Sequence, residues 1–261
     1  MSAAPNEPPV QRSRSGGVLT LTMARAPVNA LDDALVDALE AGLEAACADA
    51  QITVVHLRSA CRVFCAGADL ALMSQSIATP QGLERMLALV ARLQRLNARL
   101  EAAPVVTLAE IGGAALGGGF ELALACDLRI AAQEAKLGLP EAGLGLLAAA
   151  GGTQRLTRLV GPGVAKRLIL GAETVDGAAA ERLGLVQWAL PRAEMPEAAS
   201  ALAQRIAKLP RHALDAAKQC IAAALDDSRD GFAEEIAHTR NLYQQPATQE
   251  RVAAFLAPAA R

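Results

Sequence analysis

The sequence predicts an α/β protein with a strand-and-helix core and a helical C-terminal region. Strand-like segments such as "GVLTLTMA" and "ITVVHLRS" alternate with amphipathic helical patterns as far as Pro191, and only helical patterns follow. The chain has 261 residues, of which 52% are hydrophobic and 20% charged, and this composition supports one large domain with a substantial core. We therefore predict a tail at 1–16, disordered because it is polar and Pro-rich, a core at 17–195 and helices at 196–261.

The first strand is predicted from the alternation of Leu and Thr in "GVLTLTMA". Turn residues around Pro27 and Asn29 precede an amphipathic helix, and "ITVVHLRS" reads as a second, more buried strand. The segment "CRVFCAGADL" has no clean period, so we predict a loop there. The apolar face of the helix comprises Leu35, Leu39, Leu43 and Ala46.

A long helix is predicted over "PQGLERMLALVARLQRLNARLEAAP", followed by a strand, "VVTLAEIGGAAL", that runs into a row of glycines. "DLRIAA" reads as another strand, and "AAAERLGLVQWAL" ends a helix at Gly184 before entering a strand. Four helical patterns then complete the chain, separated by breaks such as Pro210 and Pro246. The apolar stripe of the long helix is expected to lie in the core and comprises Leu83, Met86, Leu87, Val90, Leu93 and Leu100.

Composition argues against several classes of function. The formal net charge is -2, so no broad basic field is present to attract nucleic acid or an anionic membrane. No apolar stretch is long enough to span a bilayer, and the opening lacks the apolar core of a signal peptide. The five cysteines form no CxxC pair, so we expect reduced thiols and a cytoplasmic protein. The three histidines are isolated, and no metal site is expected.

The stretch "ALGGGFELALACD" places three glycines, Gly117 to Gly119, between a strand and a helix that begins near Gly118. A helix N-terminus exposes unpaired N–H groups, and missing side chains let a ligand approach them, so the stretch suits a developing oxyanion. Glu121 would face the same space from one turn into the helix. Equally, the glycines could serve tight packing and Glu121 could be a solvated acid, and this stretch alone does not decide. No GK[ST] follows, which excludes a phosphate loop.

Two further stretches favour a functional site. "FCAGADL", residues 64–70, is a loop of small residues after a strand and can offer a second bare N–H. "LGLPEAGLGLLAAAGGTQRL" places Glu141 directly after Pro140 in an apolar setting. Two carboxylates among small and apolar residues are costly unless they are used.

In their order and separations, these stretches resemble the crotonase superfamily, the enoyl-CoA hydratase/isomerase family. The resemblance runs from "VLTLTMARAPVNAL" through "GGTQRLTRLVG" to "AAERLGLV", nearly the whole chain. It implies a spiral of ββα units with a C-terminal helical trimerisation region, which would be residues 196–261. It also implies a homotrimer or a dimer of trimers.

The resemblance also implies a site for an acyl-CoA thioester, in which coenzyme A is part of the substrate and no separate cofactor is needed. The amides of Ala68 and Gly118 would form an oxyanion hole for the thioester oxygen, and Glu121 and Glu141 would be catalytic. Substrate-binding positions would be Ala66, Gly67, Asp69, Leu70, Gly117 and Arg25.

The activity implied is that of an enoyl-CoA hydratase, a hydro-lyase that adds water syn across the 2,3 double bond of a 2-trans-enoyl-CoA in fatty acid or related degradation. Glu121 is assigned as the base for water and Glu141 as the proton donor to C2, and the resemblance leaves open which does which. Double-bond isomerisation, for which one glutamate can suffice, is the alternative. RNA binding, which some relatives have acquired, is disfavoured by the scarcity of lysine and the slight negative charge.

Two departures from the family pattern affect these expectations. The stretch "AAAGGTQRL", residues 148–156, lacks the proline and one glycine that many relatives carry, which predicts a less stiff turn. Ala71 stands where several relatives have a lysine that reaches CoA phosphates, and Arg25 is a candidate to replace that charge.

Overall fold

A computed structural model of the chain describes residues 8–257, and it confirms the α/β class. A six-stranded sheet has the order β1-β2-β3-β4-β6-β9, and a three-stranded sheet has the order β5-β7-β8. The strands are β1 Val10–Ser15, β2 Val18–Met23, β3 Val54–Ser59, β4 Val106–Ile111, β5 Ala115–Leu116, β6 Leu128–Ala132, β7 Lys136–Gly138, β8 Thr174–Asp176 and β9 Trp188–Leu190.

Helices connect these strands and extend the chain beyond them. They are α1 Asp33–Ala48, α2 Leu70–Ala78, α3 Pro80–Ala102, α4 Gly118–Leu124, α5 Gly152–Leu170, α6 Gly177–Arg182, α7 Met195–Ala207, α8 Arg211–Ala223, α9 Gly231–Tyr243 and α10 Pro246–Leu256, with a 3-10 helix at Pro140–Leu144. No helix within 8–257 is both long enough and apolar enough to cross a bilayer.

The large sheet is parallel from β2 to β9, as expected for strands joined by helical crossovers. Val18 pairs with Val54 and Val54 with Val106, so the three buried strands start level with one another. Their carboxyl ends therefore lead into the loops after β3 and β4 at one edge of the sheet. Those loops carry "CAGAD" and the glycine triplet.

The prediction of a disordered tail at 1–16 is wrong for the second half of that segment. Val10–Ser15 forms β1, which pairs antiparallel with β2 in a register that runs from Val10 opposite Met23 to Ser15 opposite Val18. The turn needs Gly16, whose φ of 56° suits glycine. Polar side chains misled the prediction because this edge strand is exposed at every residue except Val10. Residues 1–7 of the tail lie outside the described residues.

The long-helix stripe is only partly buried. Leu93 and Leu100 lie in the core as predicted, together with Leu89 and Leu96. Leu83 and Leu87 are exposed, so the buried face of α3 is rotated relative to the predicted stripe. The predicted face of α1 is buried throughout. We conclude that periodicity located both helices but misjudged which residues of α3 meet the sheet.

Within the described residues, every element after β9 is a helix, as predicted, but the first of these helices packs against the large sheet. The helix α7 packs against β2, β3, β4 and β6, with Met195, Ala199 and Leu202 buried. Beyond it, α9 and α10 bury no residue completely. The sheet-packed core therefore extends to Ala207, and the appendage consists of α8 to α10.

Candidate active site

The loop after β3 presents the amide of Ala68 towards open space. Ala68 forms an isolated parallel bridge with Leu31, in which the Leu31 amide donates to the Gly67 carbonyl (2.8 Å) and the Asp69 amide donates to the Leu31 carbonyl (3.4 Å). In such a bridge the N–H of the central residue turns away from its partner strand. Within the described part of the chain, the Ala68 N–H has no acceptor.

Each of the three glycines meets a different tertiary constraint. Gly117 has a φ of 52°, and a Cβ there would lie 2.6 Å from Glu141 Oε1. At Gly118 a Cβ would lie 2.8 Å from Leu31 Cδ1, and at Gly119 it would lie 2.2 Å from the Cys65 carbonyl oxygen. The packing interpretation of the triplet therefore holds for Gly118 and Gly119, while Gly117 makes room for the Glu141 carboxylate.

The two loops meet at Gly67 and Gly118. A Cβ on Gly67 would lie 3.3 Å from the Gly118 amide nitrogen and 2.9 Å from the Leu116 carbonyl oxygen, and the φ of 93° at Gly67 also favours glycine. The Gly118 amide is at the first position of α4 and has no acceptor among residues 8–257. The loops that carry the amides of Ala68 and Gly118 are thus in contact, and a shared oxyanion hole stays a prediction.

Glu121 is buried, with 2% of its surface exposed, so the alternative of a solvated acid is wrong. Its Oε1 accepts a hydrogen bond from the Gly152 amide (2.7 Å), at the N-terminus of α5. Its Oε2 lies 3.9 Å from the position that a Cβ on Gly118 would take. One carboxylate oxygen is therefore held by the protein, and the other faces the glycine backbone.

Glu141 approaches the same backbone from the 3-10 helix. Its Oε1 lies beside Gly117, as the built Cβ contact indicates, and its Oε2 is buried without a hydrogen-bond partner in the described residues. An unpaired buried carboxylate oxygen costs free energy, which is tolerated where it serves a function. The two glutamates thus flank Gly117 and Gly118, and the prediction that they share one site is supported by this geometry.

The carboxyls bind protons more tightly than exposed glutamates do. Burial raises the pKa of Glu121 to about 7, with the nearby Glu141 adding to the rise while the Gly152 and Ala150 amides and Arg155 oppose it. Burial also raises the pKa of Glu141. Because the groups interact, they titrate as a pair, and near neutral pH the pair can hold one proton and one negative charge.

Arg25 lies beside the loop that carries Ala68, and its guanidinium is already paired with two aspartates. Its Nε contacts Asp32 Oδ2 at 2.8 Å, and its Nη2 donates to Asp69 Oδ2 at 2.9 Å. Asp32 and Asp69 cap the N-termini of α1 and α2, so Arg25 joins two helices to the loop. Its predicted contact with substrate stays a prediction.

The remaining predicted binding positions lie in the same loop. The Ala66 amide donates to the Val28 carbonyl (3.0 Å), and Ala66 itself is exposed. Leu70 begins α2. The Cys65 thiol below them is buried and contacts the Asn29 carbonyl oxygen at 3.0 Å, which ties this loop to the segment after β2. The predicted stretch is therefore part of the loop that carries Ala68, and its contact with substrate stays a prediction.

Sequence reasoning missed the residues that hold Glu121. Gly152 supplies the amide, and a Cβ there would lie 2.8 Å from Glu121 Oε1. Asn97 and Arg155 hold the preceding turn through the Ala150 carbonyl, at 3.0 Å and 3.1 Å. The glycine pair in "AAAGGTQRL" was the one available signal, since a second glycine-started helix suggests a second backbone approach.

This arrangement can stabilise an oxyanion and move protons beside it. Two amides without acceptors lie in neighbouring loops, and donors that converge on one carbonyl oxygen stabilise the charge that develops on it. Two carboxyls with raised pKa values adjoin them and can accept and donate protons near neutral pH. The geometry therefore fits chemistry at the carbon atoms next to a carbonyl group.

Comparison with known proteins agrees with this chemistry. Residues 13–257 match the family model described as enoyl-CoA hydratase/isomerase. A probable enoyl-CoA hydratase of Bacillus subtilis is 42% identical over 192 residues, which are 73% of each chain. The 2,3-dehydroadipyl-CoA hydratase of Escherichia coli K12 is 40% identical over 210 residues, 80% of each chain.

Among solved structures, an enoyl-CoA hydratase from Bacillus anthracis superimposes with a TM-score of 0.88 at 33% identity, covering 95% of both chains. This similarity over 95% of the chain confirms the predicted crotonase-like fold. On the family model, the identities and this fold, the chain belongs to the enoyl-CoA hydratase/isomerase family.

Proposed function

We propose that the protein is an enoyl-CoA hydratase, a hydro-lyase that adds water across the 2,3 double bond of a 2-trans-enoyl-CoA. One observation carries the proposal: two carboxyls, Glu121 and Glu141, flank the same glycine backbone beside two free amides. Hydration needs a base for water and an acid for C2, whereas isomerisation can proceed with one group. That both approach Gly117 and Gly118 also supports addition of the two parts of water to one face.

In the proposed mechanism, the thioester oxygen accepts hydrogen bonds from the amides of Ala68 and Gly118. Water attacks C3 while Glu121 Oε2 takes one of its protons, and the electrons of the double bond move towards the thioester oxygen. Glu141 then gives a proton to C2, and the product is a 3-hydroxyacyl-CoA. The exchange leaves Glu121 protonated and Glu141 ionised, and a proton passing between these neighbours restores the starting state.

The raised pKa values support a pair that carries one proton in the working state. With Glu121 near 7, repulsion from Glu141 disfavours the doubly ionised pair. The Gly152 amide favours the ionised form of Glu121, as its assignment as base requires. The hydration rate should then pass through a maximum near neutral pH. When both glutamates are ionised the pair lacks an acid for C2, and when both are protonated it lacks a base for water.

The test replaces each glutamate with glutamine. Glutamine keeps the shape but neither takes nor gives a proton in this way, so Glu121→Gln and Glu141→Gln should each lower kcat on crotonyl-CoA by about 10²–10⁴-fold, with small changes in KM. A 3-enoyl-CoA serves as the comparison substrate. Circular dichroism checks that both variants are folded.

If Glu121→Gln hydrates crotonyl-CoA at the wild-type rate, Glu121 is not the base for water. If the wild-type chain does not hydrate crotonyl-CoA, the hydratase proposal fails. Loss of 3-enoyl-CoA conversion in Glu141→Gln alone would then support an isomerase. That second candidate is favoured by one observation, the buried, unpaired Glu141 Oε2, because a single carboxyl can shuttle a proton between two carbons.

We further propose that the substrate is an acyl-CoA of fatty acid or related degradation, that coenzyme A enters only with it, and that the enzyme works in the cytoplasm. The relatives named as hydratases support the substrate class, and the five free thiols support a reducing compartment. We also propose a homotrimer or a dimer of trimers that binds neither nucleic acid nor membrane.

A further inference from the structure

The turn before α5 determines where Glu121 points. Gly152, the first residue of α5 after this turn, donates the hydrogen bond that holds Glu121 Oε1. The turn carries alanines instead of a stiffening proline, yet three side chains bind its carbonyls. Gln94 Nε2 donates to the Ala149 carbonyl (2.6 Å), while Asn97 Nδ2 (3.0 Å) and Arg155 Nη1 (3.1 Å) both donate to that of Ala150.

Asn97 is placed where α3 would otherwise be apolar. Only 1% of its surface is exposed, and its buried neighbours on α3 include Leu93, Leu96 and Leu100. Its Oδ1 has no partner in the described residues, and such an unpaired buried atom costs about 1–3 kcal/mol. The hydrogen bond to Ala150 is the contact that offsets this cost, which indicates a role for Asn97 in holding the turn.

Arg155 holds the same carbonyl from the other side. Its Nη2 donates to Glu101 Oε2 on α3 at 2.6 Å, so the guanidinium spans from α3 to the turn. It lies so close to the backbone that a Cβ on Gly151 would be 2.0 Å from Nη1. Arg155 also brings a positive charge near Glu121, whereas Asn97 brings none.

We propose that Asn97 and Arg155 are positioning residues. Their hydrogen bonds to the Ala150 carbonyl hold the turn so that the Gly152 amide donates to Glu121 Oε1, and Glu121 Oε2 is left free to face Gly118. The inference deepens the proposed hydratase function and rests on it. The Ala150 carbonyl lies close to the Gly152 amide along the turn. Loss of the hydrogen bonds to this carbonyl would therefore displace the amide. A displacement of about 1 Å in an active site can lower the rate by about 10²-fold.

Four variants test the proposal. Asn97→Leu keeps the size of the side chain and removes the donor. Arg155→Met removes the donor and the charge, whereas Arg155→Lys keeps the charge but lacks the planar guanidinium that donates two hydrogen bonds. Arg158→Met is the control on the exposed face of α5. We expect the first three to lower kcat by about 10–100-fold with KM changed less than about threefold. The control should behave as wild type.

The pH profile separates positioning from general damage. The charged groups that face Glu121 are Glu141 from the 3-10 helix and Arg155 from α5. Because Asn97 is neutral, a shift in Asn97→Leu reports the lost amide contact: Glu121 then ionises less readily, and the acidic limb of kcat/KM moves up by about half a pH unit or more. Arg155→Met should move it further, and Arg155→Lys should move it less.

A titration of Glu121 by carbon-13 NMR gives a readout that needs no turnover, with Glu121→Gln identifying the signal. If Asn97→Leu and Arg155→Met keep both the wild-type acidic limb and the wild-type Glu121 titration, the proposal is overturned. Should Asn97→Leu not fold, Arg155→Lys and Gln94→Met decide by the same titration. A wild-type chain that does not hydrate enoyl-CoA, with variants whose Glu121 titration still shifts, would refute the hydratase function and leave the positioning role standing.

Discussion

At the scale of single residues, Glu121 is costly for the folded chain. A carboxyl that is 2% exposed loses most of its hydration, and the Gly152 amide replaces only part of it. Burial accordingly raises its pKa from 4.5 to about 7. Sites that require such groups commonly reduce stability in exchange for activity.

This cost predicts a pH-dependent gain in stability for Glu121→Gln. The native state binds more protons than the unfolded state between 4.5 and about 7, so the wild-type contribution of Glu121 is most favourable below that window and is lost as pH rises through it. The glutamine variant should therefore be more stable than wild type at about pH 8, by on the order of 1–3 kcal/mol, with the difference shrinking towards about pH 5.

Urea unfolding at several pH values measures this difference. Glu173→Gln is the control, because Arg167 lowers the pKa of that exposed carboxyl, and its removal should give no gain at high pH. A pH-independent difference between Glu121→Gln and wild type would show that burial does not raise the Glu121 pKa.

At the scale of elements, the start of α4 serves both packing and chemistry. The helix has seven residues and begins at Gly118, with Gly117 before it in a conformation that suits glycine. Gly119 packs against the Cys65 carbonyl, which fixes α4 against the loop that carries Ala68. The proposed oxyanion hole therefore depends on the contact between α4 and this loop rather than on either one alone.

Two substitutions at Gly118 separate the amide from the space around it. Gly118→Pro removes the N–H at a helix position that tolerates proline, and Gly118→Ala adds a Cβ near Leu31 but keeps the N–H. We expect Gly118→Pro to turn over acyl-CoA substrates about 10²–10³-fold more slowly than Gly118→Ala. Steady-state kcat on crotonyl-CoA measures this ratio, and similar rates for the two folded variants would remove Gly118 from the oxyanion hole.

At the scale of the whole molecule, the C-terminal helices leave apolar side chains uncovered. Phe232 is 84% exposed and Phe255 88% exposed, and α9 and α10 bury no residue completely. Large exposed apolar patches mark protein interfaces in most folded proteins. Other exposed apolar residues in this region are Ile221, Leu225, Ile236, Tyr243, Val252 and Leu256.

The proposed assembly predicts a multiple of the 26.9 kDa chain mass in solution. Multi-angle light scattering at micromolar concentration should give three or six times that mass, because closed symmetric assembly covers these faces. Phe232→Asp with Phe255→Asp should shift the mass towards one chain, and Arg158→Met provides a surface control. A wild-type monomer at that concentration would contradict the prediction.

Sequence alone was sufficient for the parts of the protein that depend on local pattern. Alternation in "GVLTLTMA" located β2, spacing located α1, and three quoted stretches identified the family. These predictions succeed because the spacing of apolar residues and the positions of glycines can be read directly from the amino-acid sequence. The edge strand β1 and the buried face of α3 were misjudged, since pairing and burial depend on neighbours.

Only the tertiary structure determined how the site is held. It showed that each glycine of the triplet makes room for a different neighbour, and that Arg25 is paired with two aspartates. It also showed that Asn97, more than fifty positions from Ala150 in the chain, supports the turn that holds Glu121. Such contacts join residues that are distant along the chain, so the pattern around each residue carries no sign of its partner.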